Sequence, residues 1–97
     1  MITQQDAINR LKKFKHEASS KYGIVSLGIF GSVARNQAIN GSDVDVVVEM
    51  EKVNPFQMVH LKDDLEQIFG VRVDLVRLRK NMNEFLRKQI ERDAIYV

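Results

Sequence analysis

The sequence of 97 residues contains no cysteine and no tryptophan, one proline and five glycines. The absence of cysteine excludes disulfide bonds and zinc sites built from thiolates. Uninterrupted apolar runs such as Val46–Val48 are too short for a membrane span or a signal peptide, so we expect a cytoplasmic protein without membrane contact. The 44% hydrophobic and 29% charged residues predict one globular domain over residues 1–97.

The charged residues are unevenly distributed, although the net charge is only +2. Residues 31–70 carry seven acidic and three basic side chains, whereas the segments on either side are basic. This pattern fits solvated helix faces, or a carboxylate site for cations whose basic flanks attract a polyphosphate. The small net charge argues against a nucleic-acid partner.

Alternating helical and strand-like patterns predict an α/β or α+β domain with one sheet of three or four strands. Apolar residues at steps of three and four predict helices from Thr3 to Gly23, from Asn54–Pro55 to Gly70 and from Asn81 onward. A further short helix is predicted over residues 32–37. Apolar and β-branched runs predict strands over 24–30, 43–50 and 71–78.

The C-terminal segment contains a predicted helix and a stretch with two possible structures. Asn81 and Glu84 resemble a capping box, which predicts a last helix whose inner face carries Phe85, Leu86 and Ile90. The final residues, 95–97, fit either an edge strand or a docking tail.

Two aspartates at the start of the second predicted strand form the first candidate site. Side chains two residues apart on a strand share a face, so Asp43 and Asp45 lie close together while Val44 and Val46 face the core. This arrangement is unfavourable unless one carboxylate is protonated or a cation lies between them. Mg²⁺ fits, because it binds one or two carboxylates together with water and substrate phosphates.

A third aspartate and a glycine–serine turn extend this candidate site. Asp74 interrupts an apolar strand and joins the pair if the third strand neighbours the second, leaving room for two metal ions. Gly31 and Ser32 lie where a buried strand turns into a helix, where backbone N–H groups can hold phosphate. Arg35, one helical turn on, and Ser42, in the polar turn before Asp43, are further candidate nucleotide contacts.

Rival motifs do not fit the spacing. The chain has Asn36-Gln37-Ala38 where a P-loop requires glycine, lysine and a hydroxyl residue, and no EF-hand or dinucleotide fingerprint is present. His16 and His60 are isolated in helical segments and are interpreted as surface residues. The basic segment 77–80 fits a solvated strand end, or a contact with phosphate or an acidic partner.

The candidate site residues together resemble the signature of the polymerase-β-like nucleotidyltransferase superfamily. This signature consists of Gly31-Ser32, ten further residues, Asp43-x-Asp45 and a later strand aspartate, here Asp74. The chain resembles its minimal nucleotidyltransferase (MNT) family from the first helix to the closing Ile-Glu-Arg-Asp-Ala-Ile. The resemblance implies a small mixed sheet covered by about four helices. It also implies that Asp43 and Asp45 bind metal, that Asp74 completes the triad and assists deprotonation of the acceptor, and that Gly31 and Ser32 hold the triphosphate.

One departure from the family pattern is Asn36, where many members carry glycine; asparagine also tolerates a left-handed backbone. The resemblance further implies a partner, a helical HEPN-domain ribonuclease toxin, to which the enzyme adds AMP from ATP on a tyrosine. A second copy of the chain is the other candidate for completing the site. Rival hypotheses are nucleotidyl transfer to a small molecule such as an aminoglycoside, and an antitoxin that acts by binding alone.

Overall fold

The computed structural model describes residues 2–97. Its strands form one sheet in the order β3-β2-β1-β4, in which β2 and β3 are parallel and the other neighbours are antiparallel. The predicted mixed sheet with about four helices is confirmed. In chain order the elements are α1 (Gln4–Tyr22), β1 (Ile24–Phe30), α2 (Gly31–Ala34), β2 (Val44–Met50), α3 (Pro55–Phe69), β3 (Val73–Arg77), α4 (Glu84–Asp93) and β4 (Ile95–Tyr96).

The ends of the two long helices agree with the sequence. Thr3 caps α1 by accepting a hydrogen bond from the Asp6 N–H at 3.1 Å, and Gly23 ends this helix with a left-handed φ of 64°. Asn54 caps α3 in the same way, ahead of a proline in its first turn. Short-range capping chemistry is therefore sufficient to define both helices.

The sheet has an apolar layer on each face. On one face, α1 and α3 cover the even-numbered valines of β2 with buried residues that include Leu11, Leu61 and Leu65. On the other face, Ile90 of α4 packs against Val47 and Phe30. The alternation along β2 therefore places its buried valines on both sides of the sheet, and Asp45 shares the face that α4 partly covers.

Several predicted details of α2, β3 and α4 are wrong. The cap of α4 is Asn83, whose side chain accepts from the Leu86 N–H at 3.1 Å, and not Asn81. Phe85 is 71% exposed, because Leu86 and Ile90, one helical turn apart, already fill the narrow contact with the sheet. Helix α2 is shorter than predicted because the chain turns left-handed at Asn36, with a φ of 61°, and β3 is shorter at both ends.

The C-terminal residues form an edge strand, which decides between the two alternatives. Strand β4 pairs antiparallel with β1, with Tyr96 opposite Gly28, and the Val97 N–H donates to the Leu27 carbonyl at 2.8 Å. A Cβ atom on Gly28 would lie 2.7 Å from the Ile95 carbonyl oxygen, so this close pairing requires glycine. Within residues 2–97, no helix is long and apolar enough to cross a membrane.

Candidate active site

Asp45 is the most buried of the three predicted catalytic carboxylates. It lies on β2 between Val44 and Val46, whose side chains are fully buried on the opposite face of the sheet. The pKa of Asp45 is raised from its ordinary value of 3.8 to about 6, mainly by burial and then by the negative charges of Asp74 and Asp43. A cation bound next to Asp45 would therefore stabilise the charged form of this carboxylate.

Asp74 joins Asp45 through the pairing of β3 with β2. These two parallel strands align so that Asp45 is directly opposite Asp74, and Val47 is opposite Val76. Residues paired in this way project from the same face of a sheet, so both carboxylates lie beyond the end of the apolar layer that α4 covers. The prediction that Asp74 lies beside the Asp-x-Asp strand is confirmed, and its side chain is exposed.

Asp43 is more exposed than Asp45 and has a cationic neighbour. Its carboxylate is 45% exposed and lies 3.6 Å from Arg72 Nε, which is itself largely exposed. Within residues 2–97, no group of three acidic or histidine side chains is arranged as a metal site in the absence of an ion. Asp43 directly precedes β2, and its ion pair with Arg72 is too exposed to be strong, so its role in the triad stays a prediction.

The donor chemistry nevertheless fits a divalent cation. Carboxylate oxygens are the ligands that Mg²⁺ prefers, and it takes few of them from the protein because substrate phosphates and water supply the rest. Asp45 and Asp43 would supply such ligands, since the exposed ion pair of Asp43 with Arg72 is weak, and Asp74 lies beside Asp45. The number of ions, two in the sequence interpretation, stays a prediction.

The Gly31–Ser32 turn lies directly against Asp45. Gly31 has a φ of 70°, and a Cβ atom there would be 2.0 Å from Asp45 Oδ2. Phe30, the last residue of β1, is paired with Asp45, which explains why the turn and the carboxylate meet. The first N–H groups after this turn have no partner one helical turn earlier, as at every helix start, and can hold an anion beside the carboxylates.

Arg35 donates two side-chain hydrogen bonds that the sequence did not predict. Its Nη1 donates to Asp93 Oδ2 at 2.7 Å, and its Nε donates to Gln37 Oε1 at 3.1 Å. Its positive charge still lowers the pKa of Asp45, against the larger effect of burial. The predicted contact of Arg35 with phosphate stays a prediction, and its hydrogen bond to Asp93 is a contact that the sequence interpretation missed.

Ser42 closes a turn in the loop before β2. Its hydroxyl accepts a hydrogen bond from the Ile39 N–H at 3.0 Å, and its own N–H donates to the Ile39 carbonyl at 3.0 Å. This serine therefore shapes the approach to Asp43, and its predicted nucleotide contact stays untested. His16 and His60 are both exposed, as predicted.

Comparison with known proteins agrees with this geometry. The profile of the nucleotidyltransferase domain family matches residues 11–97. The protein adenylyltransferase MntA of Thermococcus cleftensis is 32% identical over 98 residues, which cover 100% of this chain and 98% of the relative. Both comparisons span the glycine–serine turn and the three aspartates.

Two solved structures share the fold. One, provisionally described as a minimal nucleotidyltransferase, is 34% identical with a TM-score of 0.78, over 97% of this chain and 95% of that chain. The other is a complex of the tri-AMPylated HEPN toxin of Shewanella oneidensis with an MNT antitoxin, matched with 21% identity and a TM-score of 0.70 over 97% of this chain and 71% of that chain. At 21% identity the second likeness concerns the fold alone. From the family profile and the full-length likeness to an adenylyltransferase, the chain belongs to the nucleotidyltransferase domain family, as a minimal nucleotidyltransferase of the protein adenylyltransferase type.

Proposed function

We propose that the chain uses Mg²⁺-bound ATP in the cytoplasm to transfer AMP to a protein hydroxyl and releases pyrophosphate. The close contact between Gly31 and Asp45 carries this proposal. A Cβ atom on Gly31 would lie 2.0 Å from the Asp45 carboxylate, so the turn proposed to bind phosphate lies directly against the strand proposed to bind metal. A triphosphate held at the turn then has its α-phosphorus close to the carboxylates. The catalytic residues are Asp43, Asp45 and Asp74, and the nucleotide contacts are Gly31, Ser32, Arg35 and Ser42.

Each carboxylate has a separate task in this proposal. Asp45 and Asp43 would hold Mg²⁺, and the ion would neutralise the negative charge that develops on the phosphates. Asp74 is exposed beside Asp45, so it can accept the proton of the incoming hydroxyl. The hydroxyl oxygen forms a bond with the α-phosphorus, the bond to the β-phosphate oxygen breaks, and pyrophosphate leaves from the Gly31–Ser32 turn.

The acceptor is a tyrosine of a helical HEPN toxin encoded with this chain. Two observations support a protein acceptor: the end of the sheet that carries Asp74 is open, and a relative of the same length is named a protein adenylyltransferase. The toxin is inferred from the complex of a HEPN toxin with an MNT antitoxin that shares this fold. A second copy of the chain is the other candidate for completing the site.

Labelled ATP tests the proposal. With Mg²⁺ and the co-encoded partner, label from the α-phosphate is expected on a partner tyrosine, and label from the γ-phosphate is not. Asp45→Asn should abolish labelling, whereas Asp63→Asn, which removes an exposed carboxylate from the middle of α3, serves as the matched control and should not.

Three outcomes contradict the proposal in different ways. Transfer of γ-label identifies a kinase. Transfer of α-label to an aminoglycoside but not to the partner identifies a small-molecule enzyme. A partner that stays unlabelled but is inhibited equally by the wild type and by the triple aspartate variant identifies an antitoxin that acts by binding.

A further inference from the structure

The carboxylate of Asp93, at the end of α4, connects this helix to the segment that follows the Gly31–Ser32 turn. Its Oδ2 accepts a hydrogen bond from Arg35 Nη1 at 2.7 Å, and its Oδ1 accepts one from Arg92 Nε at 2.9 Å. The Asp93 side chain is only 4% exposed, whereas that of Arg35 is 38% exposed. Hydrogen bonds from Arg92 and Arg35 hold the pKa of Asp93 below its ordinary value, so this carboxylate stays charged.

The two hydrogen bonds of Arg35 fix the plane of its guanidinium group. Nη1 is held by Asp93 and Nε by Gln37, while Nη2 makes no hydrogen bond to any residue within 2–97. A guanidinium is a rigid planar fork, so fixing two of its nitrogens determines where the third points. Arg35 follows the Gly31–Ser32 turn by one helical turn, and its charge reaches Asp45.

The charge balance of this cluster also favours an anion. One carboxylate, Asp93, faces two guanidinium groups, Arg35 and Arg92, which leaves one unit of positive charge. Arg92 therefore compensates Asp93, and the charge of Arg35 stays available to a ligand. The anion nearest to it in the proposed reaction is the triphosphate.

We propose that Asp93 is a positioning residue that holds Arg35 in place to bind the phosphates of ATP. This inference rests on the proposed function, and it deepens it by assigning a role to the end of α4. An arginine that is already ordered loses less rotamer entropy when the nucleotide binds, which increases affinity. Asp93 itself contacts neither nucleotide nor acceptor in this proposal.

A purely structural ion pair makes different predictions from a positioning pair. If Asp93 only fastens α4 to the region of α2, its loss destabilises the protein but leaves the nucleotide affinity of the folded form unchanged. If Asp93 positions Arg35, its effect on nucleotide affinity disappears once Arg35 has been removed. A double-mutant cycle measured on nucleotide affinity separates the two roles.

The cycle consists of Asp93→Asn, Arg35→Ala and the double variant, with Mg²⁺-ATP affinity measured by calorimetry in the absence of an acceptor. Asp93→Asn should weaken binding about 10-fold, as expected for a misplaced charge-assisted hydrogen bond. Arg35→Ala should weaken it at least as much, and the double variant no further. In turnover with the partner, the KM for ATP should rise while kcat at saturating ATP changes less than about threefold.

Two further variants serve as rescue and control. Asp93→Glu keeps a carboxylate at this position and should recover most of the lost affinity. Arg92→Ala removes the other arginine from the same carboxylate but leaves the Arg35 hydrogen bond, so affinity should stay within about twofold of the wild type. A comparable loss in Arg92→Ala would assign the effect to the whole cluster and contradict the specific role of Arg35.

Failure of this inference can be distinguished from failure of the proposed function. The proposed function holds if the wild type binds Mg²⁺-ATP and Asp45→Asn does not. The positioning role is then wrong if folded Asp93→Asn binds Mg²⁺-ATP like the wild type, or if the affinity losses of Asp93→Asn and Arg35→Ala add up in the double variant. If the wild type binds no Mg²⁺-ATP, both fail. Should Asp93→Asn not fold, Arg35→Lys decides, because lysine keeps the positive charge but lacks the planar fork that Asp93 holds; wild-type affinity in this variant would overturn the role.

Discussion

Gly31 shows at the scale of one residue why a small amino acid is needed between the turn and the carboxylate. Its φ of 70° disfavours any side chain, and its missing Cβ leaves the space that Asp45 Oδ2 occupies. The sequence predicted that this turn holds a phosphate. The structure adds that the first neighbour to use this space is a carboxylate of the protein itself.

We expect Gly31→Ala to impair the site more than the fold. The left-handed backbone should cost about 1 to 2 kcal/mol of unfolding free energy, and the new methyl group should displace the Asp45 side chain and weaken Mg²⁺-ATP binding at least about 10-fold. Gly70→Ala is the matched control, because Gly70 has the same φ of 70° but nothing within 4 Å of its Cβ position. Equal nucleotide affinity in both variants would contradict the contact between Gly31 and Asp45.

Asp45→Asn should stabilise the protein in the presence of a chelator. Burial and two neighbouring carboxylates make the charged form of Asp45 costly, and an amide removes that charge, so we expect a gain on the order of 1 kcal/mol at neutral pH. Thermal unfolding in EDTA measures it. Asp43→Asn should gain less, because this residue is half exposed and near Arg72. If Asp45→Asn melts well below the wild type, the carboxylate has a structural role.

At the scale of elements, α1 and α3 are joined by a polar contact at the edge of their apolar interface. The hydroxyl of Tyr22, the last residue of α1, donates a hydrogen bond to Asp64 of α3, and the tyrosine ring is almost fully buried. Burial raises the pKa of Tyr22 to about 12, and the hydrogen bond and charge of Asp64 contribute to this rise. The contact therefore stabilises the fold only while the hydroxyl keeps its proton.

Tyr22→Phe is expected to lower the unfolding free energy by about 1 kcal/mol at pH 8. Because the pKa of Tyr22 is higher in the folded than in the unfolded protein, its stabilisation is complete below about pH 10 and disappears as the pH passes about 12. The difference between variant and wild type should thus shrink between these values in denaturant titrations. Tyr96→Phe removes a half-exposed hydroxyl and should show a smaller difference at pH 8; a constant Tyr22 difference at every pH would contradict the hydrogen bond.

At the scale of the whole molecule, the two faces of the sheet have different tasks. Helices α1 and α3 bury the even-numbered valines of β2 on one face, while α4 covers only the part of the other face around Val47 and leaves the Asp45–Asp74 end open. A catalytic face that is only half covered fits an enzyme whose acceptor is another macromolecule, because the acceptor itself can complete the site.

We expect the free protein to bind Mg²⁺ weakly and to bind Mg²⁺ and ATP together much more tightly. Few carboxylates are present and they do not converge on one point, so phosphate oxygens must complete the coordination. Calorimetry should show that Mg²⁺ increases ATP affinity at least about 10-fold, and that Asp45→Asn loses this increase. Equal ATP affinity with and without Mg²⁺ in both proteins would contradict a metal-dependent site.

Local chemistry in the sequence determined the helix ends at Thr3, Gly23, Asn54 and Gly70. These features depend on a few neighbouring residues, so periodicity and capping preferences are sufficient to predict them. The last helix was predicted two residues too early because Asn81 and Asn83 are equally good caps in isolation. Only packing against the sheet selects Asn83 and leaves Phe85 exposed.

Contacts between distant segments were decided by the tertiary structure alone. The β2–β3 register places Asp74 opposite Asp45, β4 pairs with β1, and Arg35 reaches Asp93 across 58 residues of chain. Each depends on how strands align and how α4 crosses the sheet, which is set by the whole apolar core and not by any local pattern. The sequence alone therefore predicted the candidate catalytic residues, whereas the packed fold determined which of them meet.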